Sequence, residues 1–379
     1  MDKKSINYAG MIAVASVLFG WHAGGGFATG NQANQFFIIS GRLAPFSALL
    51  TMLLLTLTIR QALIMYSQRS MTSVKQLFET LYHPLDKLAI VFEIYYCIMV
   101  LMATSSSIAG AATLLVDMFN MNYAVSILVV GVILLSLTMF GADLVRKASS
   151  VMSVLIIVCA FSIFMCGIVL KRTEISVLFS AVEGRGQLSK AILKAFQYAG
   201  FQCAAIPTMV ACSYVLRSKK ECIGSMWISF AMNAIATVLS VVMLLVWQSV
   251  YSAIEGGTTI PTLTVCKEMG IGVLLWAYYI FLFLCFISTG VGAVFGVVAK
   301  FESNAKLVDM VSDKKRRRMG ISIIMMATAM MISFVGLTNI IKYGYGYCGY
   351  IGIAIIVIPF LTVGVYKNRR YKQETSIAD

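Results

Sequence analysis

"FGWHAGGGFATGNQANQFF", residues 19–37, decides how the whole chain is read. Three consecutive glycines, Gly24, Gly25 and Gly26, and four amides, Asn31, Gln32, Asn34 and Gln35, stand inside an otherwise apolar run. Each glycine gives up roughly 1 kcal/mol of helix propensity relative to alanine, so three in a row mark the cheapest place to interrupt a helix. Unbroken, the run from 7 to 40 would form a helix of about 50 Å, well beyond the roughly 30 Å of bilayer hydrocarbon. It is expected to break at the glycines into two half-helices of about 13 residues each. Gly20 with Gly24, and Gly26 with Gly30, also suit tight helix packing, and the two roles are compatible.

The rest of the chain sets that break in a membrane. Of its 379 residues, 59% are hydrophobic and 12% charged, with a mean hydropathy of +0.86. A soluble domain carries about twice that share of charge. Runs such as 122–140 and 148–170 are long enough to cross a bilayer as helices, so the fold class is all-α and polytopic. The first apolar run leads straight into the glycines with no small-residue cleavage site, and reads as a span rather than a signal peptide. The nine cysteines lie mostly in apolar runs, show no C-x-x-C pair, and read as small hydrophobes.

Ten spans are expected, at about 7–40, 43–66, 88–116, 122–140, 148–170, 191–216, 221–250, 271–299, 320–340 and 345–366. With the N-terminus inside, the inner segments carry 21 Lys and Arg against 8 outside, which predicts both termini in the cytoplasm. The net charge of +14 is thus a topology signal. Its densest run, "KKRRR" at 314–318, is placed to meet anionic lipid, and no nucleic-acid partner is expected.

A second interruption falls in "FQYAGFQCAAIP", 196–207, where Gly200, Gln202 and Pro207 stand in the sixth span. Proline removes a backbone donor and clashes with the preceding turn, so a kink or unwinding is expected just before it. Spans one and six hold the same place in two sets of five, and the second set enters from the opposite side. This predicts a 5+5 inverted repeat with helices 1 and 6 broken, residues 1–170 forming one half, 171–366 the other and 367–379 a cytoplasmic tail.

On "GGGFATGNQANQFF" (24–37) and "QYAGFQCAAIP" (197–207), the chain resembles the YkvI-like bacterial membrane proteins, a LeuT-fold branch of the amino acid–polyamine–organocation superfamily. In that family the first motif runs Gly-Ala-Gly-Phe-Ala-Ser-Gly-Gln-Glu. Asn31 and Gln32 stand here at the Gln-Glu positions, so this chain lacks the acid. The resemblance implies that the unwound centres of spans one and six face each other near the midplane and bind a solute.

Candidate solute ligands are His22, Gly24, Gly25, Gly26, Phe27, Tyr95, Tyr96, Tyr198, Gly200, Phe201 and Gln202. The N–H groups of Gly25, Gly26 and Phe27 would meet an anionic group such as a carboxylate. Carbonyls near Gly20 and Ala23, with Ser288 and Thr289 of "FISTGVG", resemble the sodium site of LeuT-fold transporters; the hydroxyls alternatively bond back to their own helix. No other cofactor is expected. Asn31, Gln32 and Gln35 are read as the wet wall of an outward vestibule. His22 is either a proton-coupling group or a neutral, hydrogen-bonded histidine. Arg60 and Glu93 lie at similar depth and are expected to pair or to serve a cytoplasmic gate. The connection 251–270 is either a lid over the outer mouth or a passive loop.

The expected function is secondary active transport, by alternating access, of a small amino-acid-like or amine solute coupled to sodium or protons, in a bacterial cytoplasmic membrane. A transporter-fold receptor that binds a nutrient without moving it is the alternative. Enzymatic activity is not expected: the two histidines, His22 and His83, stand in no H-E-x-x-H, and no G-x-S-x-G occurs.

Overall fold

The computed structural model describes residues 6–140, 158–175, 188–254, 258–302 and 304–378. Every regular element among them is helical. Among the described residues, five helices are long and apolar enough to cross a membrane: Ile38–Gln68, Asp86–Phe119, Lys219–Val246, Gly272–Phe301 and Leu337–Tyr371. The start of the expected fifth span (148–157), with Arg146, Lys147 and Arg185 of the charge pattern, lies outside the described residues.

The first span breaks at the glycines and then breaks again. Helix α1 (Tyr8–His22) ends with Ala23 N–H donating to the Phe19 carbonyl at 2.8 Å, and Gly24 is extended at φ −64°, ψ −179°. A single turn, α2 (Gly25–Ala28), follows, and Gly30 at φ +75° separates it from α3 (Asn31–Phe36). The expected second half-helix is therefore two short pieces, because a left-handed residue cannot sit inside a helix.

Next come α4 (Ala44–Gln68), the short amphipathic α5 (Val74–Tyr82), α6 (Ala89–Phe119), α7 (Tyr123–Phe140) and α8 (Val158–Leu170). In the sixth span, α9 (Leu188–Gln202) passes through one 3₁₀ turn, Cys203–Ala205, into α10 (Ile206–Cys212). The expected break is here only a tightened turn with helical backbone angles. Pro207 falls in the first turn of α10, where no helical donor is required of it. Helices α11 (Lys219–Val246), α12 (Pro261–Glu268), α13 (Gly272–Phe301), α14 (Lys314–Ser333) and α15 (Leu337–Tyr371) complete the chain. The last connection differs from the expected 340–345: the turn is made at Gly336, φ +87°, and Gly344 lies within a π-helical stretch of α15, Ile340–Tyr345.

Two groups of helices pack internally. Helices α1, α4, α9, α10 and α11 form one; α6, α7, α13 and α14 form the other. Small residues let the first group close up, and hydroxyls tie it across helices: Ser225 donates to the Met11 carbonyl at 2.9 Å and Ser47 to that of Ala191 at 2.7 Å. Such bonds between membrane helices contribute about 0.6 kcal/mol each on average. The turn α2 leaves the first group and touches α6 and α13 of the second.

Candidate functional site

Between the two groups, at the break, lies a cavity of about 490 Å³. The break supplies Gly20, His22, Ala23, Gly24, Gly25, Gly26 and Phe27; α3 supplies Gln32 and α9 supplies Phe201 and Gln202. Tyr96 comes from α6, and Ser288 and Thr289 from α13. These sequence-predicted residues, drawn from six helices, are thus brought to one space.

The buried polar groups beside the cavity are organised by one hydroxyl. Tyr198 donates to Gln32 Oε1 at 2.8 Å and accepts from Gln202 Nε2 at 3.3 Å. It also meets His22 Nε2 at 3.0 Å, a bond whose direction follows the His22 tautomer. Nδ1 closes no hydrogen bond in good geometry, although the Asn233 amide lies beside the ring. Phe36, Phe37 and Phe201 pack on Tyr198 with ring centroids 4.7–5.4 Å apart and hold it in place.

Toward the candidate cation site, the last turn of α1 releases its carbonyls where the helical ladder stops. A Cβ on Gly24 would lie 3.5 Å from Thr289 Oγ1, so the break and α13 are in contact there. Oxygen donors of carbonyl and hydroxyl type suit a hard monovalent cation. Thr289 also meets the Cys285 thiol one turn away on its own helix.

Several expected ligands stand elsewhere. The Phe27 N–H donates to the Gly24 carbonyl at 3.0 Å and is not free for an anion. Gly25 and Gly26 are filled against by the Phe286 ring and the Gln32 amide, each 2.4 Å from where a Cβ would be, so close packing needs them as much as any ligand. Tyr95 is off the cavity: its hydroxyl donates to the carbonyls of Gly200 (2.7 Å) and Phe201 (3.0 Å), and these bonds brace the turn after α9. Gly200 faces α15, where a Cβ would sit 2.2 Å from the Gly349 carbonyl oxygen. Tyr198 acts through His22, Gln32 and Gln202 from outside the cavity wall.

The expected outward vestibule is closed. Asn31 is buried, donating to the Thr259 carbonyl at 2.7 Å and to Thr338 Oγ1 at 2.8 Å, and Gln32 turns inward to Tyr198. Gln35 lies off the cavity wall, half-buried. Helix α12 covers this end, its Thr262 N–H donating to the Thr29 carbonyl at 3.1 Å, and from α13 the Tyr278 hydroxyl donates to the Ala28 carbonyl at 2.6 Å. At the other end, Tyr96 and Gly296 also line a second cavity of about 290 Å³ that reaches Lys75 and Phe78 of α5. Glu93 borders it and pairs with Lys300 at 3.6 Å, not with Arg60, which makes no ion pair among the described residues. Equal depth did not bring Arg60 and Glu93 together because they lie on helices of different groups.

Sequence reasoning missed Trp21, Ser106, Ser107, Thr208, Cys285 and Tyr345 on the cavity wall. A signal was present for two of them, since "TSSS" at 104–107 is a polar run in the middle of an apolar helix.

No protein-family model and no curated protein sequence matches the chain. Among solved structures it is similar to a Na⁺-coupled sialic acid symporter in a substrate-bound outward-open state, with TM-score 0.54, 13% identity, and coverage of 95% of this chain and 88% of that one. It is also similar to the Eremococcus coleocola manganese transporter, with TM-score 0.50, 15% identity, and coverage of 96% and 86%. At such identities the likeness is one of fold.

Proposed function

We propose that this protein is a secondary active transporter of the cytoplasmic membrane, moving a small amino-acid-like or amine solute by alternating access with sodium or a proton as coupling ion. The observation that carries this reading is the cavity at the break. It is walled by both helix groups, covered at one end by α12, and adjoined at the other, across Tyr96 and Gly296, by the second cavity beside α5. In this reading α1, α4, α9, α10 and α11 rock against α6, α7, α13 and α14, and the arrangement described is the inward-facing one. The chain is two inverted halves of five spans, 1–170 and 171–366, with 367–379 as tail, akin to the YkvI-like branch of the LeuT fold, with both termini inside. Gly20, Ala23, Ser288 and Thr289 would hold sodium, which would screen an anionic solute group beside it.

The fold likeness to a sodium-coupled symporter supports the reading. The likeness to a manganese transporter does not extend to cargo: hard divalent cations need carboxylate oxygens, and none lines this cavity among the described residues. Among the described lining residues no nucleophile is hydrogen-bonded to a base, and no enzymatic step is assigned to the cavity.

The test is a thermal-stability screen of the purified protein against amino acids, amines and small carboxylates in sodium or choline, followed by uptake into vesicles. A solute that binds only the folded state raises the melting temperature by mass action. Sodium-dependent stabilisation lost in Ser288→Ala/Thr289→Ala, with accumulation in vesicles, is the expected result. A solute that stabilises but is never accumulated would turn the reading to a nutrient receptor.

A further inference from the structure

The cavity wall opposite the break holds hydroxyls that the transport reading leaves unused. In α6, Thr104 and Ser105 donate back to the carbonyls of Val100 (3.0 Å) and Leu101 (2.8 Å), as hydroxyls in membrane helices do. Ser106 bonds to the Ala103 carbonyl at 3.0 Å and meets the Tyr345 hydroxyl at 2.8 Å. Ser107 differs: it lines the cavity, is 1% exposed, and its Oγ closes no hydrogen bond. A buried hydroxyl with no partner is unfavourable and calls for an explanation.

Tyr345 ends the π-helical stretch Ile340–Tyr345, a departure from α-geometry that recurs at functional sites. Its ring stacks on Phe201 at 5.1 Å and 11°, and both rings line the cavity beside the Ser106–Tyr345 pair. Among the described lining residues none is Asp, Glu, Lys or Arg. A charged group brought to this end would lose its hydration without gaining a counter-charge.

We propose that Ser106, Ser107, Tyr345 and Phe201 form a recognition subsite for the distal end of the solute, selecting an uncharged hydroxyl or carboxamide and rejecting a charged end. Such a group donates and accepts, so it satisfies Ser107 Oγ and joins the Ser106–Tyr345 pair at once. The proposal rests on reading the central cavity as the solute site, and its failure is separable from that of transport.

The experiment uses the full chain in detergent and measures binding by calorimetry and thermal shift. The panel is serine, glutamine, tyrosine, ethanolamine and tyramine against alanine, lysine and glutamate. Hydroxyl- and carboxamide-ended members are expected to bind and the charged-ended ones not. Ser107→Ala is expected to weaken the former about tenfold, the size of one lost hydrogen bond in a dry site. It should leave alanine binding alone and not lower the melting temperature of the empty protein, since Ser107 holds no partner there. Tyr345→Phe keeps the ring and should show the same selective loss. Equal binding of lysine or glutamate, unaltered affinities in both variants, a change in sodium dependence alone, or no binding by any hydroxyl- or carboxamide-ended member would overturn the subsite. Vesicle uptake separates the two readings: accumulation of a charged-ended solute keeps transport and removes the subsite, whereas selective binding without accumulation does the reverse.

Discussion

Tyr198 joins three helices through one oxygen, and no water can replace a bond it loses, since the residue is fully buried. Tyr198→Phe strands His22 Nε2, Gln32 Oε1 and one Gln202 proton, and is expected to destabilise the protein by about 1–3 kcal/mol, read as a lower melting temperature in detergent. The glycines separate into two kinds. Gly200→Ala places a Cβ 2.2 Å from the Gly349 carbonyl oxygen, where backbone cannot retreat, and should cost about 1–3 kcal/mol or more. Gly20→Ala meets nothing within 4 Å and lies on the cavity wall. It should keep or slightly raise the melting temperature, by up to about 1 kcal/mol of helix propensity, while altering only ligand or sodium response. Glycine runs show in a sequence; which glycine faces a neighbouring backbone does not.

At the scale of elements, α12 is the piece whose loss would change access most. It is held at the break by Thr262 and by the loop carbonyl of Thr259, and at its far end by Lys267, which pairs with Asp117 at 2.7 Å. The ion pair is partly exposed and worth about 0–1 kcal/mol, so the inner contacts decide whether the helix stays down. Asn31→Ala removes both of its buried bonds and is expected to let an impermeant maleimide reach Cys285, on the cavity wall, faster from the α12 face, as read by mass spectrometry. Labelling at the wild-type rate would show that Asn31 does not hold α12 in place. The turn-forming residues and Pro261 announce a helix start after 260. That it docks on Thr29 and Gly30 is a long-range fact: Gly30 has no room for a Cβ, which would fall 2.5 Å from Thr262 Oγ1.

For the whole molecule, the two helix groups meet around the central cavity and the second cavity beside α5. Glu93 and Lys300 both lie in the second group, on the wall of that second cavity. Their partly exposed pair should show a coupling of about 0.2–1 kcal/mol in a double-mutant cycle. Arg60 and Glu93 should add to within about 0.3–0.5 kcal/mol. Gly296, common to both cavities, lies 3.1 Å from the Tyr96 hydroxyl at its Cβ position, so Gly296→Leu narrows the neck. Under the proposed transport function, uptake is expected to fall by at least about tenfold, a barrier rise near 1.4 kcal/mol, with folding retained. Unchanged uptake would mean that the solute leaves by another route.

What the sequence determined by itself was local: where the backbone is apolar enough to span, where three glycines make helix too weak to continue, and where positive charge accumulates. These depend on runs of adjacent residues and are legible one stretch at a time. The tertiary structure decided the rest: that the sixth span tightens without unwinding, that Asn31 is buried against Thr259 and Thr338 while Gln32 turns to Tyr198, and that Glu93 faces Lys300. It also set Ser106 against Tyr345, 239 positions along the chain. Such contacts depend on the rotation and axial offset of helices far apart in sequence, and an apolar helix in lipid carries little one-sided pattern from which to read them.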